Sequence, residues 1–328
     1  MRISTEWIGD AFIWLRIRSV GHPCRWACYL ALLRAYQECS RFARRIRDGF
    51  KRGEKGVCLK YFTGQKNFGD MLNVDLMNWL GIAYSHATDD SANLLCIGSL
   101  MDELLVTDWQ LLRYSRAVHV FGAGFMHDRE SSIEKFNRPV ALHGLRGKLS
   151  LARCETICGH VLDNVVLGDP GLLVNEIFPR AQEQLYDVGV ICHYNDFHSE
   201  ALKNLQLPGL TVRMIDVHSS TADFARQVSA CKLILSSALH GLICADAYGV
   251  PNRHIVLSWR VEGAGYKFRD YYSVFPSAQY EPIDLRTRTV TVDDARIWMM
   301  TPVVPAAEVA EVQWRLRKLM SRIKDCVR

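Results

Sequence analysis

The sequence predicts an α/β protein built as two doubly wound halves, each with a mostly parallel sheet, behind a basic helical leader. Three observations lead there. Short apolar runs repeatedly stop at a glycine, segments with helical spacing separate most of them, and the rhythm lapses over residues 175–186 before resuming. At 328 residues the chain is long for a single core and suits two domains of ordinary size. Its 49% hydrophobic and 23% charged residues are the proportions of a folded globular protein.

The leader covers residues 1–52. Residues 1–56 hold twelve Lys/Arg against five Asp/Glu, a local balance of +7 in a chain whose total is +5, so the body is slightly acidic. Trp7–Ile17 and Trp26–Leu33 are apolar, but Arg16, Arg18, Arg25 and Arg34 interrupt them. Neither run approaches the ~20 residues that span a bilayer, and the arginines fall where a cleavable signal needs an unbroken apolar stretch. Basic, Trp-bearing amphipathic helices lie in anionic membrane surfaces; the other reading is a solvated helix packed on the body. The body offers no long basic stripe, and no nucleic-acid partner is expected. Eleven scattered cysteines without a C-x-x-C pair indicate a reducing compartment. A cytoplasmic protein, held at the inner face of the membrane by residues 1–52, is the resulting expectation.

The first α/β domain is expected over residues 53–180. Val57–Phe62 is its opening strand, and the loop 63–70 ends in Asn67-Phe68-Gly69-Asp70, with Asp70 as the natural N-cap of a helix over 71–80. Further strands are expected at 93–99, ending in Gly98; at 117–125, with Gly122 and Gly124; at 139–147, with Arg146 near its end; and at 165–171. The G-x-G of Gly122 and Gly124 lacks the third glycine of a dinucleotide fingerprint, since His127 stands in its place, and is read as a tight turn at a cleft edge.

The second domain is expected over 181–300, with strands at 188–193, 211–217, 233–237 and 252–257 and a helix over 221–231. Its centre is Lys232–Pro251. Leu233-Ile234-Leu235 makes a buried strand, Ser236 or Ser237 can cap the following helix, and Leu239, Leu242, Ile243 and Ala247 recur at helical spacing. Gly249 and Pro251 end it. His240 then sits in the first turn, where unpaired backbone N–H groups attract anions; a histidine merely satisfying backbone groups at a turn is the alternative. Tyr266–Tyr272 gathers bases and aromatics, including Lys267 and Arg269. Residues 301–328 are set apart as a C-terminal segment carrying a helix from Ala306.

No metal site is expected, for H-E-x-x-H, paired C-x-x-C and Asp-rich loops are all missing. G-x-S-x-G is missing too, so Ser236 and Ser237 read as cap rather than nucleophile. Anion chemistry remains. Arg146 ends a glycine-flanked strand and suits bidentate contact with carboxylate or phosphate, or else a structural ion pair.

The motifs N-F-G-D (67–70), I-G-S (97–99), V-F-G-A-G-F (120–125), L-R-G-K-L-S (145–150), G-D-P-G-L-L (168–173), H-Y-N-D (193–196) and S-S-A-L-H-G-L-I-C-A-D-A-Y-G-V-P (236–251) occur in this order. Together they resemble the polysaccharide pyruvyl transferases, in the exopolysaccharide (succinoglycan ketalase-like) branch. The resemblance spans roughly 57–275 and leaves out the leader. It implies two Rossmann-like halves similar to the glycosyltransferase B architecture. It also implies transfer of the enolpyruvyl group of phosphoenolpyruvate onto two sugar hydroxyls to form a pyruvate ketal, with phosphoenolpyruvate as donor substrate and no cofactor. His240 would be the catalytic acid. Arg146, Ser236, Ser237, Leu239, Lys267 and Arg269 would bind the donor. Asn67, Asp70, Gly98, Gly122, Gly124 and His193 would line the cleft toward a sugar or lipid-linked oligosaccharide acceptor. Ala238 stands where many members carry an arginine, which passes the grip on the donor to Lys267 or Arg269. Two other readings stay open: a nucleotide-sugar glycosyltransferase with Glu262 at the nucleoside, and a non-catalytic membrane-peripheral component of a polysaccharide assembly complex.

Overall fold

The structure is a computed structural model that describes residues 56–89, 91–106, 116–128 and 134–327. The expected leader over 1–52 lies outside the described residues. No helix among those described is long and apolar enough to cross a membrane.

The first half alternates strand and connection as the apolar runs anticipate. Its elements are β1 (Val57–Lys60), α1 (Phe68–Trp79), β2 (Tyr84–His86), β3 (Leu94–Leu95), β4 (Val118–Phe121), β5 (Val140–Leu145), α2 (Lys148–Cys158) and β6 (Val166–Leu167). They form a six-stranded parallel sheet in the order β2-β1-β3-β4-β5-β6. Leu59, Leu94, Val120 and Leu145 are fully buried, as strands covered on both faces require.

The second half repeats the plan with β7 (Tyr186–Ile191), β8 (Val212–Ile215), α3 (Thr221–Ser229), β9 (Cys231–Ser236), α4 (Leu239–Ala247), β10 (Asn252–Val256), α5 (Tyr266–Tyr272) and β11 (Ile283–Asp284). Its sheet is parallel, in the order β8-β7-β9-β10-β11. Both sheets therefore switch direction at one place, between β1 and β3 and between β7 and β9. In such sheets a crevice opens at the switch point, beyond the carboxyl ends of the strands.

Two helices join the halves. After α6 (Val292–Met300), α7 (Ala306–Met320) returns to the first sheet. There Gly168 leaves room for Val312, Gly144 leaves room for Leu319, and the Gln313 side chain donates 2.8 Å to Leu172 O. At Gly168 φ is +147°, so a side chain there would meet both Val312 and a strained backbone. The other bridge is α5, which packs on the start of α2. Asp270 Oδ1 accepts the Ser150 N–H at 2.9 Å, and Asp270 O lies so close to Gly147 that a Cβ would fall 1.8 Å away.

Two caps differ from expectation. Asn67 rather than Asp70 caps α1, because Phe68 N–H is taken by Val217 O at 2.8 Å and the helix begins earlier. Neither Ser236 nor Ser237 caps α4. Ser236 Oγ is turned back onto Ala238 N and O, and Ser237 Oγ accepts the His193 N–H at 2.8 Å, which leaves Ala238 as an N-cap without a side-chain bond. The edge strands β2 and β11 and a small antiparallel ribbon, Leu105–Val106 with Lys135–Phe136, are too short to stand out from their surroundings in the sequence.

Candidate active site

A cavity of about 400 Å³ opens at the two switch points, a size suited to a small metabolite. The segment after β1 supplies Phe62 and Asn67–Asp70, and that after β3 supplies Gly98–Leu100. From the other half come His193 and Tyr194 after β7, Ala238–Gly241 after β9, and Glu262 and Lys267 from the segment leading into α5.

Of the residues singled out from the sequence, the cavity gathers Asn67, Asp70, Gly98, His193, Leu239, His240 and Lys267. Ser236 and Ser237 stay behind it, shaping the turn before α4. Gly122 and Gly124 are also one layer back. At Gly122 φ is +120° and a Cβ would strike Pro170, while a Cβ on Gly124 would strike the guanidinium of Arg146.

Arg146 is not at the cavity wall. It is fully buried, and its guanidinium donates to Asp270 Oδ2 at 3.0 Å, to Ser99 Oγ at 2.7 Å and to Phe125 O. Asp270 Oδ2 also accepts from Ser150 Oγ at 2.6 Å. The structural ion pair is thus what forms, and its effect is to pin α5 against the first half. Arg269, on the same helix, points outward to Asp128 at 3.3 Å and to Ala264 O, away from the cavity.

That pinning fixes Lys267, one turn earlier in α5. Lys267 is only 7% exposed and lines the cavity, and among the described residues its ammonium makes no hydrogen bond or ion pair. Burial, followed by the charge of Arg146, draws this ammonium down to about 8, against the opposing pull of Glu262, Asp70 and Asp196. A buried cation that faces a cavity without a hydrogen bond or ion pair has a charge that an anion would neutralise.

His240, second in α4, lines the same cavity. The ring lies against Gly69, where a Cβ would fall 2.0 Å from Nδ1, so only glycine lets α1 and α4 approach this closely. On the opposite edge Nε2 faces Asp169 Oδ2 at 3.8 Å, and both atoms are buried without a hydrogen-bond partner among the described residues. The other oxygen of Asp169 accepts Gly171 N–H at 2.8 Å, which orients the carboxylate. Asp169 escapes a sequence reading because G-D-P-G looks like a strand end; only the fold brings it to a histidine 71 positions later.

Asp70 lies across from His240. Its Oδ2 accepts from Asn67 Nδ2 at 2.6 Å. Burial pushes its carboxyl up, while His240, the Asn67 hydrogen bond and Lys267 pull the other way. Asn73, one turn on, holds the Gly98 loop next to it, accepting Ile97 N–H and donating to Ile97 O, both at 3.0 Å. His193 accepts Asn195 N–H on Nδ1, and burial together with the Lys267 charge holds it down to about 3, so it is neutral.

The chain is 32% identical over 144 residues to an uncharacterized protein of Acanthamoeba polyphaga mimivirus, across 40% of this chain and 47% of that one. The chain thus spans just under half the length of that relative. It is 23% identical over 243 residues to the succinoglycan biosynthesis protein ExoV of Rhizobium meliloti, across 71% of this chain and 70% of that one. A solved structure of a functionally uncharacterized Klebsiella pneumoniae protein aligns with a TM-score of 0.36 and 12% identity, over 70% of this chain and 92% of that one. The polysaccharide pyruvyl transferase family model matches residues 67–258, from the cap of α1 to the segment after β10. Covering more than half of the chain, that match establishes that the chain belongs to the polysaccharide pyruvyl transferase family.

Proposed function

We propose that the protein transfers the enolpyruvyl group of phosphoenolpyruvate to two hydroxyls of a sugar, giving a cyclic pyruvate ketal, in exopolysaccharide synthesis. The observation that carries this reading is the Lys267 ammonium, buried, without a hydrogen bond or ion pair among the described residues and facing the same cavity as His240. A small trianion would satisfy it. The uncapped first turn of α4 supplies further N–H donors for the phosphate. Ala238 leaves space at this position, consistent with the cation coming from α5 instead.

In this mechanism His240 protonates the methylene carbon of the donor, which becomes the ketal methyl group, and C2 turns electrophilic. With Nε2 directed at Asp169, Nδ1 is the nitrogen left for the donor. One sugar hydroxyl adds at C2 and the second displaces phosphate. One hydroxyl proton replaces the proton given to the methylene carbon, and the other leaves on the phosphate. Asp70, its carboxyl raised by burial, is suited to take a hydroxyl proton as base. The likeness to ExoV favours an exopolysaccharide precursor as acceptor, and the basic leader favours a lipid-linked one.

The test is phosphate release from phosphoenolpyruvate with a panel of pyranosides and lipid-linked oligosaccharides, with product mass as a second readout. Acceptor-dependent release and a mass gain of one pyruvate ketal are expected. No release from any acceptor, together with thermal stabilisation by a nucleotide sugar and none by phosphoenolpyruvate, would replace this reading with the glycosyltransferase one. Protein that ignores anionic vesicles at low salt would remove the membrane part.

A further inference from the structure

Trp259 follows β10 and is 87% exposed, more than any other large hydrophobic residue among those described. It is not loose. The Arg286 guanidinium covers one face of the indole, 3.4 Å from the ring centroid. Arg286 is in turn locked to Asp284 through two hydrogen bonds, Nε to Oδ1 at 2.7 Å and Nη2 to Oδ2 at 2.6 Å. A planar, doubly held guanidinium makes a rigid base for an aromatic ring. One face of the indole is therefore fixed and the other is open.

The segment that carries Trp259 adjoins the active-site cavity. Ser258 Oγ donates to Asp196, and Asn195 Nδ2 donates 3.2 Å to Arg260 O, so the Trp259 segment is tied on both sides to the turn after β7. That same turn supplies His193 and Tyr194 to the cavity wall, and Glu262, three residues beyond Trp259, lines the cavity as well. Phe197, half exposed, lies on the same turn.

We infer that Trp259 is a stacking platform for a pyranose ring of the acceptor, one or more sugars away from the residue that receives the pyruvyl group. The negative face of an indole attracts the polarised C–H groups on the flat side of a pyranose. A ring already held in place loses little freedom on binding. The inference rests on the acceptor being a saccharide and adds to that reading a subsite for a chain longer than one sugar. A single sugar filling the cavity gains nothing from Trp259; an oligosaccharide does.

The test pairs turnover with direct binding. Trp259→Ala is expected to raise KM for an oligosaccharide acceptor about tenfold, the size of effect expected from one lost stacked ring. Its kcat, its KM for phosphoenolpyruvate and its KM for a methyl monoglycoside should stay as in the wild type, and Trp259→Phe should recover most of the loss. Separately, the Trp259 indole N–H resonance, assigned by its disappearance in Trp259→Phe, is followed while β-linked gluco- and galacto-oligosaccharides are added. A shift with the oligosaccharides and none with the monoglycosides supports the platform, even if no acceptor releases phosphate from phosphoenolpyruvate, in which case the transferase reading fails alone. Phosphate release with Trp259→Ala matching wild type on every oligosaccharide would overturn the platform. So would an indole signal that moves with none of these sugars, or that moves with phosphatidylglycerol vesicles instead.

Discussion

The two helices that open onto the cavity begin in opposite ways. α1 starts at Asn67, whose side chain accepts the Asp70 N–H, and it carries a carboxylate in its first turn. α4 starts at Ala238 with no side-chain bond and no acid in its first turn, and Lys267 faces the same cavity. A capped helix start bearing an acid repels an anion, whereas an uncapped one beside a buried ammonium attracts it. The cavity is thus electrically two-sided. In the proposed reaction the α4 face would take the phosphate and carboxylate of the donor, and the α1 face the hydroxyls of the acceptor.

This contrast depends first on α5 staying where it is. Arg146→Met or Asp270→Asn strands a fully buried partner and is expected to destabilise the protein by about 3–5 kcal/mol, measured by chemical unfolding, with phosphoenolpyruvate binding lost in whatever folds. Wild-type stability would mean that the Arg146–Asp270 pair does not hold α5. The next largest effect is at His240. His240→Asn keeps the ring's place filled but cannot donate a proton in the same way, so turnover should fall roughly 10²–10⁴-fold with a smaller change in KM for the donor. Full turnover with an unchanged pH profile would remove the acid role.

Ala238→Asp attacks the contrast directly. An aspartate at this N-cap gives α4 the kind of start that α1 has. The helix should gain about 0.5–2 kcal/mol, while donor affinity drops because the new carboxylate occupies the anion face. A gain in stability with unchanged donor affinity would show that the α4 start does not hold the donor. The smallest effect is at the other helix. Asn67→Ala should cost about 1 kcal/mol in an unfolding experiment, leave donor affinity intact, and raise KM for the acceptor as Asp70 loses its Asn67 hydrogen bond.

Much of the fold was legible because its strands are continuous apolar runs ending at glycine, and His240 was legible because strand, turn and helix lie together in one stretch. What was not legible depends on distant partners. Lys267 and Arg269 are two residues apart in a basic, aromatic segment, and only the packing of α5 against α2 turns one inward and the other out. Arg146 looked like a ligand-binding cation until Asp270, 124 positions later, claimed it. Asn67 won the cap over Asp70 because a carbonyl from the other half, Val217 O, takes the Phe68 N–H. Asp169 meets His240 only through the fold.

The most direct test is the pH dependence of phosphoenolpyruvate binding by calorimetry, in wild type and in Lys267→Met. Lys267 in the free protein is held down to about 8, so it is cationic below that pH and neutral above it. Bound donor would favour the charged form, and affinity should therefore be constant from pH 7 to near 8 and then fall, approaching about tenfold per pH unit. In Lys267→Met binding should be weak at every pH and the dependence gone. Wild-type affinity in Lys267→Met, or a flat profile across pH 8 in the wild type, would contradict the assignment of Lys267 as the cation that holds the donor.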